Sequence, residues 1–246
     1  MTIRLAILEC DTPMPDVLEL YGRYGEHFQR LFAEAAGKES MDVSFTKHDV
    51  VEQEDDYPEL ANTDGIVISG SKHSAFEDTP WILRLVEWVR QAMEKGVKVV
   101  AICFGHQIAS RALGAVVDRS SNGWELAVTG IELTPLGRKF MPNIREKLQL
   151  QQMHRDVVTS IPPGAELLCS NRHCQTQGFY IKGRLLSFQG HPEFIADVVD
   201  RIIVTRERQS IFPKDVAENA RQRVNLRNDG VEVARAALQF VANSEL

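Results

Sequence analysis

Residues 97–102 (VKVVAI) form an apolar run interrupted only by Lys98, with a longer amphipathic segment on each side. A run with no polar alternation has no face to give to water, so it belongs to a strand covered on both faces, as in the centre of a parallel sheet. The pattern recurs. Residues 3–8 and 65–69 (GIVIS) are further buried-strand runs, and residues 43–45 offer a shorter one. Between them, residues 17–36 place Leu20, Tyr24, Phe28, Leu31 and Phe32 at helical spacing, and residues 81–95 put Trp81, Leu85, Trp88, Val89 and Ala92 on one face. Residues 105–113 read as a helix closed by Gly114. Strands alternating with helices predict βαβ units, and so an α/β fold: a mostly parallel central sheet with helices on both faces.

The texture changes from about residue 123 to 189. Short strands (127–133, 178–181, 185–189) lie between turns containing Gly and Pro, which predicts a β-rich, partly antiparallel second half. Residues 195–208 read as a helix. The chain then becomes highly charged, and it ends in an amphipathic segment, 231–241. The expected organisation is one domain over residues 1–200 and a helical C-terminal extension, 201–246, packed on it, with the charges of the extension on a solvated helix face.

Composition narrows the function classes. A net charge of -6 with no dense Lys/Arg run argues against a nucleic-acid binder. The four cysteines, Cys10, Cys103, Cys169 and Cys174, form no CxxC pair, and no His cluster has metal-ligand spacing, so no metal and no cofactor is expected. Four cysteines in 246 residues do not make a disulfide scaffold, which points to a reduced, cytoplasmic protein. The apolar run after the N-terminus is too short for a signal-peptide core, and no stretch is long and apolar enough to span a bilayer.

The most informative segment is Cys103-Phe104-Gly105-His106-Gln107, directly after the central strand. Ligands in open α/β sheets bind at the carboxyl ends of strands, and a tight strand-to-helix turn can project a nucleophile outward. The thiolate is the reactive form of cysteine, and a helix N-terminus favours it. The N–H of Phe104 would point toward an oxyanion formed at the attacked carbon. Gly105 would let helix and strand approach closely. Taken alone, Cys103 reads equally as a small buried hydrophobe.

Thiol catalysis needs a base held by a third group. The chain offers Gln189-Gly190-His191-Pro192-Glu193 after the apolar pair Leu185-Leu186, so His191 would sit at the same sheet edge as Cys103. Pro192 stiffens the link, and the Glu193 carboxylate can reach back to fix the imidazole tautomer. None of the other six histidines has an acidic partner in such a setting.

CFGHQ with a later HPE, each following an apolar strand, resembles the class I glutamine amidotransferase family, over roughly residues 3–200. The resemblance implies a flavodoxin-like glutamine amidotransferase fold, with Cys103 as nucleophile, His191 as base and Glu193 as orienter. It also implies an oxyanion loop at Gly70-Ser71, whose second position is usually glycine in that family, joined by the N–H of Phe104. Gln107 matches a position that contacts the glutamyl group. Gln152, Met153 and His154 match the loop that meets the substrate's α-amino and α-carboxyl groups, with Arg155 where a small residue is usual. His154 reads equally as a packed loop histidine. Trp124 and Glu125 are candidates for the pocket wall, and Trp124 reads equally as a core aromatic. The residues after the oxyanion loop, Lys72 onward, resemble stand-alone members such as γ-glutamyl peptidases.

Three functions follow. The first is a thiol hydrolase of a small-molecule γ-glutamyl substrate, glutamine or a γ-glutamyl conjugate. The second is a glutaminase that delivers ammonia to a separate synthetase subunit, since the chain has no P-loop and no residues left for an acceptor site. The third is a non-catalytic binding module, against which an intact triad argues. The glutamyl half is expected to be fixed and the leaving half loosely specified, with Lys72 and His73 the nearest groups to greet it.

Overall fold

A computed structural model describes residues 2–243; residue 1 and the last three residues of the expected extension lie outside the described residues. In chain order the elements are β1 (Ile3–Glu9), α1 (Pro15–Tyr21), α2 (Tyr24–Glu39), β2 (Val43–Asp49), β3 (Gly65–Ile68), α3 (Pro80–Glu94), β4 (Lys98–Ile102), α4 (Phe104–Ala112), β5 (Val117–Arg119), β6 (Glu125–Leu133), α5 (Pro135–Phe140), β7 (Leu148–His154), β8 (Asp156–Val158), β9 (Glu166–Ser170), β10 (Gly178–Ile181), β11 (Leu185–Phe188), α6 (Ala196–Arg208), α7 (Lys214–Arg221) and α8 (Gly230–Ala242).

The main sheet runs β2-β1-β3-β4-β11-β10-β9-β6-β7. Its first five strands are parallel, and β10, β9, β6 and β7 continue antiparallel. This is the expected α/β architecture with its β-rich second half. Side chains alternate between the two faces, as strand geometry requires. Val67, Val100 and Ile102 pack with α2 and α8 on one face. Ile66, Ile68, Val99 and Ala101 pack with α3 and α4 on the other. A third cluster joins Leu126 and Ala127 of β6 to α6, α7 and Phe194. Among the described residues no helix is long and apolar enough to cross a membrane.

Three expectations need correction. The single helix over 17–36 is broken at Gly22, which adopts the left-handed φ of 78° open to glycine. The next residue, Arg23, donates its N–H to the Glu26 carboxylate, and its guanidinium bridges Glu9 and Asp49, so α2 starts afresh on an ion-pair network. The strand expected at 43–45 runs to Asp49, paired with β1 along its whole length. As an edge strand it carries Lys47, His48 and Asp49 without an apolar signature. The boundary at residue 200 falls inside α6, and the C-terminal segment is no mere annex. Helix α8 buries Val233, Ala234, Ala237, Leu238, Phe240 and Val241 in the main core. Gly65 of β3 allows its close approach: a Cβ there would lie 2.7 Å from Val241. Lys98 Nζ donates to the carbonyls of Val241 and Asn243, tying the end of α8 to the central strand.

Candidate active site

The carboxyl ends of β1, β3, β4 and β11 deliver Asp11, Gly70-Ser71, Cys103 and His191 to the wall of one cavity of about 570 Å³. That size is in the range that encloses a drug-sized ligand.

Cys103 occupies the elbow between β4 and α4 at φ 52°, ψ -105°. This conformation is costly for a residue with a Cβ and persists only where the surroundings impose it. They do so here: the Cys103 N–H is anchored to the Phe188 carbonyl at 2.9 Å, and the Gly105 N–H to the Ser69 carbonyl at 3.2 Å. The expected role of Gly105 in close packing is visible, because a Cβ there would lie 2.6 Å from the Ile68 carbonyl oxygen.

His191 is held from several directions. Its N–H donates to the Gln151 carbonyl at 2.8 Å. Its Nδ1 is 2.7 Å from Glu193 Oε1, and both side chains are almost fully buried. Its ring lies flat on Phe194, with centroids 4.1 Å apart and planes 2° from parallel. Gly70 supplies room on another side, since a Cβ there would sit 2.6 Å from the ring's Cε1. With Nδ1 committed to Glu193, Nε2 is left for Cys103, which shares the cavity wall. Burial by itself pushes the imidazole pKa down. The Glu193 carboxylate and the adjacent Cys103 sulfur outweigh it and hold the ring up at about 10. The second Glu193 oxygen has no hydrogen-bond partner among the described residues, so the carboxylate serves the imidazole.

The N–H groups of Gly70 and Ser71 make no hydrogen bond among the described residues. That of Phe104 opens α4 and has no intrahelical acceptor. All three residues line the cavity beside Cys103. Ser71 does not need the positive φ that would demand glycine, so its departure from the usual Gly-Gly costs no backbone strain.

The sequence model of the glutamine amidotransferase class-I family matches residues 23–207. The chain belongs to this family. A glutamine amidotransferase-like protein of Schizosaccharomyces pombe is 34% identical over 98% of this chain and 99% of its own length. Gamma-glutamyl peptidase 3 of Arabidopsis thaliana is 29% identical over 88% of this chain and 86% of its own length. Among solved structures, a glutamine amidotransferase of Thermotoga maritima superposes with a TM-score of 0.72 at 20% identity, over 98% of this chain and 99% of that one, which speaks to the fold.

The residues expected to bind the glutamyl unit divide. Gln107 lines the cavity, its Nε2 donating to the Asp156 carbonyl and to Gln189. Met153 and His154 line it too. Both ring nitrogens of His154 already face acceptors, Glu125 Oε2 at 3.0 Å and the Asp156 carbonyl at 3.3 Å, so this residue shapes the wall rather than offering a free nitrogen. Gln152 is not at the cavity. It is fully buried, with its amide toward Gln177. Trp124 lines the cavity, edge-on to Phe212, whereas Glu125 turns inward to accept from Thr129, Asn171, Gln177 and His154. Lys72, expected to greet the leaving group, is engaged with Asp11 at 2.7 Å, and His73 packs edge-on against Trp81.

In this amidotransferase-family chain several cavity residues were given no individual role from the sequence. Asp156 is held by Ser74 and Arg119. Phe194 stands one residue past the HPE string, near enough to have been suspected. Arg206 lies in the charged stretch assigned to solvent, yet it lines the cavity with Ile211 and Phe212.

Proposed function

We propose that the protein is a thiol hydrolase that cleaves the γ-glutamyl amide bond of a γ-glutamyl peptide or of glutamine. One observation carries the reading. A cysteine on a strained strand-to-helix elbow shares a cavity with a Glu-held histidine and with unbonded backbone N–H groups. The plant γ-glutamyl peptidases at 29 to 35% identity support it.

Cys103 Sγ, as thiolate, attacks the γ-carbonyl carbon, and the carbonyl electron pair moves to oxygen. The N–H groups of Gly70, Ser71 and Phe104 receive that charge, in a site where oriented dipoles act strongly. The adduct collapses with breakage of the C–N bond, and the His191 imidazolium gives its Nε2 proton to the departing amine. Water then adds to the γ-glutamyl thioester and returns a proton to His191. The C–S bond breaks, glutamate leaves, and the thiolate–imidazolium pair is restored. Glu193 stays ionised throughout and keeps the ring in the tautomer that points Nε2 at sulfur.

The test is incubation of the pure protein with glutamine and a set of γ-glutamyl dipeptides, measuring released glutamate. Dipeptide turnover equal to or better than glutamine turnover supports the hydrolase. Turnover of glutamine alone, appearing only when a second chain is added, would replace it with an ammonia-delivering subunit.

A further inference from the structure

Resting on that reading, we infer that the outer half of the cavity is a leaving-group subsite for a residue with an apolar side chain and a free carboxylate, and that Arg206 is the specificity-determining contact for that carboxylate. The cavity is chemically two-sided. Part of its lining is polar: Gly70, Ser71, Gln107, Arg119, His154 and Asp156. Another part is apolar: Met14, Tyr24, Ile202, Ile211 and Phe212, with Arg206 in the same lining and Phe194 joining it to the His191 ring. Apolar walls enclosing one cation fit an amphipathic anion, and ammonia uses neither feature.

Charge pairing singles out Arg206. The other charged groups of the wall are spoken for: Lys72 by Asp11, Arg119 by Asp156, Glu193 by His191. Of the three guanidiniums that line the cavity, two have no acidic partner among the described residues. Arg155 lies over the Trp124 ring at 5.4 Å, on the link between β7 and β8, and this stacking already occupies one face of its guanidinium. Arg206 comes from α6 and lines the cavity together with Tyr24. A γ-glutamyl dipeptide carries two carboxylates, one on the glutamyl unit and one on the leaving residue. Two cavity-lining guanidiniums without an acidic partner match that count, and a guanidinium's planar fork suits a carboxylate. Arg206 is half-exposed and Ile211 exposed, so the leaving residue can depart toward solvent on this side.

The experiment compares kcat/KM for γ-glutamyl-leucine, γ-glutamyl-leucinamide and glutamine, in the wild type and in Arg206→Gln. The wild type is expected to favour the free acid over the amide by on the order of 10- to 100-fold, the usual value of a hydrogen-bonded charge. Arg206→Gln should erase that preference, costing the free acid far more than the amide or glutamine, and Arg206→Lys should restore part of it. An equal loss on all three substrates would mark Arg206 as merely structural and overturn the inference, as would an undiminished preference in Arg206→Gln. Wild-type turnover of glutamine but of neither leucine compound would overturn it while sparing the thiol chemistry. No turnover of any of the three by the wild type would remove both readings.

Discussion

Replacing Glu193 by Gln removes one buried negative charge from the His191 ring and nearly preserves the side chain's shape. At an effective dielectric of about 20, opposite unit charges about 4 Å apart attract by about 4 kcal/mol, or roughly three pH units of imidazole basicity. The Nδ1–Oε1 contact of 2.7 Å, with both groups buried, places the pair in that regime. His191 is held at about 10 mainly because this attraction and that of the Cys103 sulfur overcome burial. The proposed chemistry needs a protonated His191 to release the amine. The alkaline limb of kcat/KM should therefore fall near pH 10 in the wild type and move down by roughly three pH units in Glu193→Gln. The assay is hydrolysis of a γ-glutamyl dipeptide across pH, with the ring followed independently by proton NMR of its Cε1–H. A limb at the same pH in both proteins, or a wild-type ring that titrates near 6.5, would refute the reasoning.

Cys103→Ala should lose several orders of magnitude of activity with the fold intact by circular dichroism, because nucleophile and base act as a unit. Joint replacement of the buried Cys10, Cys169 and Cys174 should leave kcat nearly unchanged. Gly70→Ala would push a methyl to within 2.6 Å of the His191 ring; since the ring must move, kcat should drop by on the order of 100-fold, with a much smaller change in Tm. His191 is more basic folded than unfolded, so its contribution to stability is full below about pH 6.5 and fades as pH rises toward about 10. The Tm of the wild type should consequently fall more steeply than that of His191→Asn over this interval, as scanning calorimetry would register.

The fold and the core of the site were legible for a shared reason. Central parallel strands are apolar on both faces, so β3, β4 and β11 announced themselves, and each ends at a residue whose type carries chemistry. The edge strand β2 was half missed because solvent permits polar residues there. The break at Gly22 was missed because helical spacing runs through it, and only the ion pairs of Arg23 reveal the new start. Gln152 lies away from the cavity because its amide is taken up by the buried Gln177, a contact that a resemblance of residue strings does not carry. Arg206 was out of reach. A lone arginine in a charged helix reads as solvated until folding brings α6 over the cavity.

Helix α8 sets the order in which the molecule can be completed. It fills one face of a sheet whose strands β1, β3 and β4 all precede residue 103. At a synthesis rate of about 5–20 residues per second, that face waits on the order of ten seconds on the ribosome for its cover. During that time Leu5, Ile7, Val67 and Val100 have α2 but not α8 beside them. The β4 strand that presents the elbow cysteine gains its last restraint when Lys98 meets the carbonyls of Val241 and Asn243. Nascent chains stalled before residue 230 should be cut by protease within the first hundred residues, and resistance should appear abruptly once α8 has emerged.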